Sequence, residues 1–223
     1  LWLGAPSAHA PGSEPGLGVL PHGANAFEGA VAVSAVLSVV EPISSGLGGG
    51  GFFLLHDAKT GKDIFIDARE IAPAAATQAA YLDAKGEFNR DRATNGAWSA
   101  GIPGLPAGLV HLASNHGRLP LKTSLAPAIR IAREGFPVYA RLANGYAARR
   151  EVMERYKGTK GVFLADGDAP EEGEILLQPD LARTLELLGH EVIAIEADAG
   201  LVDLHAEFVS RAVQGDATDP VVL

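Results

Sequence analysis

The pattern of apolar positions between residues 25 and 68 predicts a buried helix followed by a β-hairpin. Asn25 is a favourable helix N-cap, and Glu28 stands three residues later, as in a capping box. The segment that follows, AVAVSAVLSVV, is apolar on nearly every face, which is typical of a helix buried all round. Pro42 ends this helix, because the residue before a proline disfavours the α conformation.

Two short apolar segments, FFLLH and DIFIDA, are joined by a polar connection that contains glycine, and this predicts the hairpin. Phe52 and Leu54 lie on one face of the first strand, and Phe53 and Leu55 lie on the other. Since both faces are apolar, we expect a sheet that is covered on both sides. The expected architecture is therefore layered, with helices packed against sheet.

Further along the chain the apolar positions again have helical spacing. The sequence contains no internal repeat and no clear domain linker. The pattern predicts helices at Leu105–His116, Ser124–Glu134 (with Pro127 near its first turn), Arg141–Tyr156, Pro179 to just before Gly189, and 203–213, and strands at Glu174–Leu177 and 190–197.

The glycine run SSGLGGGGFF contains a literal G-x-G-x-x-G at Gly46, Gly48 and Gly51. A dinucleotide-binding loop requires the order strand, glycine turn, helix, so that the helix N-terminus faces the pyrophosphate. Here a helix precedes the glycines and a strand follows them, which excludes that interpretation. Glycine also lets another backbone or a ligand approach closely. A tight connection and close packing beside a site are both compatible with the run.

Composition narrows the possible functions. The net charge of −9 and the pI of about 5.2 argue against a nucleic-acid partner. The absence of cysteine excludes disulfides, thiolate metal sites and a cysteine nucleophile, and the histidines lack zinc-binding spacing. No apolar stretch reaches the roughly 20 residues of a membrane span. We expect no cofactor and no metal.

The N-terminus suggests export. Residues 8–10 read Ala-His-Ala, which fits the small-x-small pattern of a signal-peptide cleavage site. Residues 1–22 are interpreted either as the end of a signal peptide or as a disordered tail. The first interpretation predicts a periplasmic or secreted protein.

Several motifs in a fixed order resemble one enzyme family. Residues 24–77 read ANAFEGAVAVSAVLSVVEPISSGLGGGGFFLLHDAKTGKDIFIDAREIAPAAAT, and they are followed by GIPG, LAPAIRIAREGFPV and LLQPDLARTLELL. This combination closely resembles the start of the large subunit of γ-glutamyltransferases, over roughly residues 23–189. Gly23-Ala24-Asn25 departs from that family's G-G-N, and HEVIAIEADAG, after Gly189, departs from its G-x-x-x-F-Y-x-G.

The resemblance implies an α+β fold, the αββα sandwich of N-terminal-nucleophile hydrolases, with residues 23–223 forming only an N-terminal part of it. It also implies an acyl-enzyme reaction on γ-glutamyl amides such as glutathione, and a small subunit cut from the same precursor. That family's nucleophile is a threonine that becomes the N-terminus of the small subunit. No threonine of this chain lies in the required G-T-T-H type of motif: Thr60, Thr77, Thr94, Thr123, Thr159, Thr184 and Thr218. We therefore expect no catalytic residue here.

The resemblance assigns Arg69 to the substrate. Arg69, in the sequence Asp67-Ala68-Arg69-Glu70, matches the arginine that binds the α-carboxylate of the γ-glutamyl group. A guanidinium group suits that task, because it binds a carboxylate with two parallel hydrogen bonds. Asp67 and Glu70 flank it and either hold its orientation or are simply solvated. A structural Arg69–Glu70 ion pair is the competing interpretation.

Two other functions remain open at this point. One is a related acylase, similar to cephalosporin acylase, that acts on another acyl group. The other is a truncated, non-catalytic module that binds a partner or ligand.

Overall fold

The computed structural model describes residues 18, 23–164, 167–190, 193–196 and 211–214, so the predicted tail at 1–22 lies almost entirely outside the described residues. The helices are α1 (Ala26–Val40), α2 (Pro42–Ser45), α3 (Arg90–Thr94), α4 (Leu105–His116), α5 (Leu121–Glu134), α6 (Ala140–Met153), α7 (Lys157–Phe163) and α8 (Pro179–His190). The strands are β1 (Gly51–Asp57), β2 (Lys62–Ala68), β3 (Phe136–Pro137), β4 (Ile175–Leu176), β5 (Ile193–Glu196) and β6 (Arg211–Gln214).

The N-terminus of α1 has the predicted capping box. The Asn25 side chain accepts hydrogen bonds from the backbone N–H groups of Phe27 (2.9 Å) and Glu28 (3.2 Å), and the Glu28 carboxylate accepts one from the N–H of Asn25 (2.6 Å). Glu28 is fully buried. Its other carboxylate oxygen accepts hydrogen bonds from the backbone N–H groups of Arg118 and Leu119, between α4 and α5. The cap therefore also fixes α1 to a distant loop.

The core forms around α1, which packs against α4 and α5, while α5 packs against α8. The prediction that α1 is buried all round is confirmed in part: nine of its residues are buried, whereas one side, with Ala30, Val33, Ser34 and Leu37, is partly accessible. Completely buried side chains of the core include Val31, Val36, Val39, Leu109, Leu112, Leu125, Leu142 and Leu185. The buried Gln178 side chain donates a hydrogen bond to the Val39 carbonyl oxygen (2.8 Å), which connects the start of α8 to the end of α1.

The predicted hairpin is present, with β1 and β2 antiparallel from the Gly51–Ala68 pair to the Asp57–Lys62 pair. Its inner face packs on the helical core, and α4 approaches it closely at Gly108. A Cβ added there would lie 2.6 Å from the Ala68 Cβ.

The outer face of the hairpin corrects one prediction. Phe52, Leu54 and Phe65 are 57%, 78% and 62% exposed. A sheet covered on both sides is therefore wrong for the described residues, because the helices of this chain pack on only one face of the hairpin.

Two helix predictions are also corrected. The helix predicted from Ser124 begins at Leu121, so Pro127 lies in its interior, where it lacks the N–H that would bond to the Thr123 carbonyl. The helix predicted for 141–156 ends at Met153 as α6, and residues 154–156 form a turn before α7. This turn places Tyr156 against Gly96: a Cβ added to Gly96 would lie 2.5 Å from the Tyr156 hydroxyl oxygen.

The C-terminal predictions are confirmed in part. The strand expected at 190–197 is present as β5, whereas α8 continues through Gly189 to His190. The final helix predicted at 203–213 is wrong at residues 211–213, which belong to β6 and pair in parallel with β5. Tertiary pairing overrides local helix propensity there; residues 203–210 lie outside the described residues. Among the described helices, none combines the length and the apolarity needed to cross a membrane.

Candidate carboxylate-binding site

Arg69 is the first residue after β2, as the sequence predicts. The preceding Ala68 is buried and pairs with Gly51 on β1, so the backbone that carries Arg69 is held by the hairpin. The Arg69 N–H donates a hydrogen bond to the Asp67 side chain (3.0 Å). This contact forms a local turn at the end of the strand. The Arg69 side chain itself is 55% exposed.

The guanidinium group of Arg69 is held on one edge by Glu70. Nε lies 3.1 Å from Oε2 and Nη2 lies 3.3 Å from Oε1, so the carboxylate binds side-on with two hydrogen bonds. No described residue accepts a hydrogen bond from Nη1. The end-on edge, formed by Nη1 and Nη2, is therefore available to a second carboxylate.

An aromatic ring supports the same guanidinium group. The Arg69 Cζ atom lies 5.6 Å from the centroid of the Phe52 ring, within the range of a cation–π interaction. Phe52 stacks in turn on Phe65, with centroids 5.5 Å apart. Phe52 was predicted only as a strand residue; its pairing with Asp67 in the hairpin places it next to Arg69.

The two acidic neighbours of Arg69 occupy different positions. The Glu70 carboxylate contacts the guanidinium group, whereas the Asp67 carboxylate accepts a backbone hydrogen bond. Of the two, only Glu70 directly fixes the charged end of Arg69 in this structure.

Two glycine-rich segments lie on either side of the chain from Arg69 to Ile71. The Gly49 carbonyl oxygen accepts hydrogen bonds from the N–H groups of Gly104 and Leu105, both at 3.1 Å. On the other side, Ile71 and Ile102 exchange two backbone hydrogen bonds of 3.2 and 2.8 Å. The chain from Arg69 to Ile71 therefore lies between the glycine run and the G-I-P-G segment.

The close approach explains the glycines at three positions. A Cβ on Gly50 would overlap the Glu70 carboxylate and lie 2.6 Å from the Arg69 Cα. A Cβ on Gly101 would lie 3.1 Å from both Cβ and Cγ of Glu70, and one on Gly104 would lie 2.5 Å from the Ala68 carbonyl oxygen. Glycine density was the only sequence signal for this packing, and it did not distinguish these positions from their neighbours.

Two clefts lie elsewhere on the described surface, and neither is lined by Arg69. One, of about 530 Å³, lies between α6 and residues 168–172; the other, of about 240 Å³, lies between Gly46–Gly48, α7 and α8. Within the part of the chain that the structure describes, no three His, Cys, Asp or Glu side chains are grouped so that they could hold a metal ion.

Comparison with known proteins identifies the family. The sequence model of the Gamma-glutamyltranspeptidase family matches residues 12–195. The glutathione hydrolase proenzyme of Bacillus subtilis (strain 168) is 40% identical over 185 residues, which make up 82% of this chain and 31% of that protein. The chain thus spans about a third of that relative's length and corresponds to its N-terminal part.

Solved structures agree with this assignment. The γ-glutamyltranspeptidase of Helicobacter pylori aligns with a TM-score of 0.79 and 35% identity, over 84% of this chain and 54% of that chain. A cephalosporin acylase from Bacillus halodurans aligns with a TM-score of 0.68 and 29% identity, over 87% of this chain and 37% of that chain. The predicted α+β fold of the N-terminal-nucleophile hydrolase type is confirmed. The chain belongs to the gamma-glutamyltranspeptidase family.

Proposed function

We propose that the protein encoded by the complete reading frame transfers or hydrolyses the γ-glutamyl group of glutathione and other γ-glutamyl amides, and that Arg69 binds the α-carboxylate of that group. Family membership supports the reaction class. The observation that carries the role of Arg69 is its free end-on edge, presented at the end of a strand and held from behind by Glu70.

The chemistry requires a nucleophile that this chain does not supply. The proposed nucleophile is the N-terminal threonine of a small subunit from the same precursor. Its hydroxyl oxygen attacks the γ-amide carbon while its own α-amine accepts the proton, and the amine leaving group departs to give an acyl-enzyme ester. Water or an acceptor amine then attacks the ester and restores the threonine. Export, to the periplasm or the medium, is part of the same proposal.

Glu70 is assigned a positioning role. Because it occupies the Nε and Nη2 side of Arg69, an incoming carboxylate can make two parallel hydrogen bonds only to Nη1 and Nη2. That restriction fixes the direction from which the α-carboxylate enters. Asp67 contributes indirectly, through the turn that begins the Arg69 segment.

A related acylase is the second candidate, and the structural likeness to the cephalosporin acylase favours it. In that case the acyl group differs from γ-glutamyl. Arg69 then binds another acidic substituent or has no substrate role, and the enzyme shows no preference for γ-glutamyl amides.

The test is Arg69→Ala in the complete protein, assayed with γ-glutamyl-p-nitroanilide. Hydrogen bonds to a charged group are worth about 1.5–3 kcal/mol, so KM is expected to rise roughly ten- to a hundredfold. Arg130→Ala is the matched control, because Arg130 is exposed on α5, away from β2.

Two results would contradict the proposal at different points. An unchanged KM in Arg69→Ala overturns the carboxylate role. If the wild-type protein does not turn over γ-glutamyl amides, the reaction class is wrong. Turnover of other acyl amides then favours the acylase, and the lack of a threonine before a T-H or T-S pair beyond Leu223 favours a non-catalytic module.

A further inference from the structure

The Glu70 side chain is held in place mainly by the backbone segments that surround it. Its side chain is 34% exposed, and exposed ion pairs between flexible side chains hold a single geometry poorly. Here two backbone segments approach Glu70 where neither carries a side chain. They are the glycine run at Gly50 and the G-I-P-G segment at Gly101.

Gly50 and Gly101 limit Glu70 at different points along its side chain. A Cβ on Gly50 would clash with the Glu70 Oε2 atom, which is the oxygen that accepts from Nε of Arg69. A Cβ on Gly101 would press on Cβ and Cγ of Glu70 at 3.1 Å, nearer the backbone. A methyl group at Gly50 would displace the carboxylate that Arg69 is paired with. A methyl group at Gly101 would lie 3.1 Å from Cβ and Cγ of Glu70 and from the Ile71 carbonyl oxygen, so we expect it to shift the Glu70 side chain by a smaller amount.

Two other glycines of the run, Gly48 and Gly51, have free space around them. A Cβ on Gly48 or Gly51 would have no atom within 4 Å, and neither glycine has a positive φ angle. Within one run, glycine is therefore required for space beside Glu70 at Gly50 but not at these two positions.

We propose that Gly50 and Gly101 are positioning residues of the carboxylate site: they shape a space that holds Glu70 side-on against Arg69 and leaves only the end-on edge of the guanidinium group for substrate. This inference rests on the proposed function. It adds that selectivity for an α-carboxylate depends on two glycines that touch no substrate.

The test measures selectivity for a substrate with an α-carboxylate, because a loss of folded enzyme does not change that selectivity. The complete protein is assayed with γ-glutamyl-p-nitroanilide and with the same compound carrying an α-carboxamide in place of the α-carboxylate. The ratio of the two kcat/KM values reports recognition of the carboxylate. Reduced folding lowers both values equally and leaves the ratio unchanged.

Gly101→Ala is expected to lower this ratio roughly tenfold, since small misplacements of a binding group have effects of that order or greater. The fall should come from KM for the carboxylate substrate. Gly50→Ala is expected to lower the ratio further, because its Cβ also meets the Arg69 backbone.

Gly101→Ala is the decisive variant if Gly50→Ala fails to fold, since the contacts of its Cβ with the Glu70 side chain are only moderately short. Gly48→Ala and Gly51→Ala are the matched controls and should keep the wild-type ratio.

A second measurement asks whether the glycines act through Glu70. In a Glu70→Ala background, Gly101→Ala is expected to lower the ratio by less than about twofold, because coupled residues give non-additive effects. The inference is overturned if Arg69→Ala abolishes the selectivity while Gly101→Ala behaves like Gly48→Ala. It is also overturned if the Gly101→Ala effect is undiminished without Glu70. A selectivity ratio that Arg69→Ala leaves unchanged overturns the proposed carboxylate role of Arg69, on which this inference rests.

Discussion

Two glutamates of this chain, Glu28 and Glu70, lie beside tight backbone turns, and their surroundings differ in an instructive way. Glu28 is fully buried and accepts hydrogen bonds from three backbone N–H groups, so its carboxylate is satisfied within the fold. Glu70 is partly exposed and satisfies one edge of an arginine whose other edge stays free. The first carboxylate has all its partners within the fold, whereas the second leaves one edge of Arg69 free for the proposed ligand.

This comparison predicts that loss of the two carboxylates has different consequences. Removal of Glu28 should affect stability, and changes around Glu70 and Arg69 should affect substrate binding with little change in stability. The following variants, all in the complete protein, are ordered from the largest expected effect to the smallest.

Glu28→Ala should have the largest effect. It removes the buried carboxylate that accepts from three partly buried backbone N–H groups, and the expected loss is about 3 kcal/mol of stability. The melting temperature followed by circular dichroism measures this loss. Glu134→Ala, at the exposed end of α5, is the control. Equal melting temperatures for the two variants would mean that the Glu28 contacts do not stabilise the fold.

Arg69→Lys should raise KM for γ-glutamyl-p-nitroanilide about tenfold, while the melting temperature stays close to that of the wild type. Lysine keeps the charge but cannot offer two parallel hydrogen bonds to a carboxylate while it also binds Glu70 side-on. Steady-state kinetics and a melting curve on the same preparation provide both readings. A wild-type KM would show that charge alone is sufficient at this position.

Phe52→Leu should have a smaller effect at the same site. It removes the ring below the guanidinium group but keeps an apolar side chain, and an exposed cation–π contact is worth about 0.5–1 kcal/mol. KM should therefore rise roughly two- to fivefold. Leu54→Ala, on the same outer face but without a contact to Arg69, is the comparison; an equal rise in both variants would assign the effect to the face as a whole.

His56→Ala should change least. His56 and Asp63 form a hydrogen bond of 2.8 Å at the far end of the same hairpin, and both side chains are largely exposed. Pairs of this kind contribute about 0–1 kcal/mol. Neither KM nor the melting temperature should move measurably. A clear rise in KM would show that the whole hairpin, and not only the end that carries Arg69, controls binding.

The sequence predicts best where the determinants are local. Asn25 and Glu28 are three residues apart, and their capping box forms as expected because both partners lie in one helical turn. The end of β2 next to Arg69 was also predicted, since two short apolar segments joined by a polar connection with glycine indicate a hairpin without distant contacts. The second oxygen of Glu28 was not predicted, because its partners are far away along the chain.

The wrong predictions share a cause, which is that the structure there depends on contacts with other segments. The turn that follows α6 places Tyr156 against Gly96, and residues 211–213 pair with β5, so both corrections involve contacts with other segments of the chain. At the outer face of the hairpin, apolar side chains indicate a preference for burial but not which segment provides it. Phe52 and Leu54 therefore gave a wrong expectation for the described residues.

Recognition of the candidate site was partial for the same reason. A motif identified Arg69, and adjacency suggested Glu70, but the side-on geometry depends on rotamers that only the folded environment selects. The distinction between Gly50 and Gly48 depends on contacts with residues 69 and 70, just after β2, and no pattern within the glycine run predicts them.

The remote partners of Glu28 have a consequence for the order of events during synthesis. The N–H groups that complete its hydrogen bonding belong to residues 90 and 91 positions further along the chain. At typical translation rates these residues are made roughly 5–20 seconds after Glu28. The Gln178 side chain, which bonds to the other end of α1, follows 139 residues after Val39. Helix α1 is therefore synthesised well before the segments that complete its hydrogen bonding at both ends.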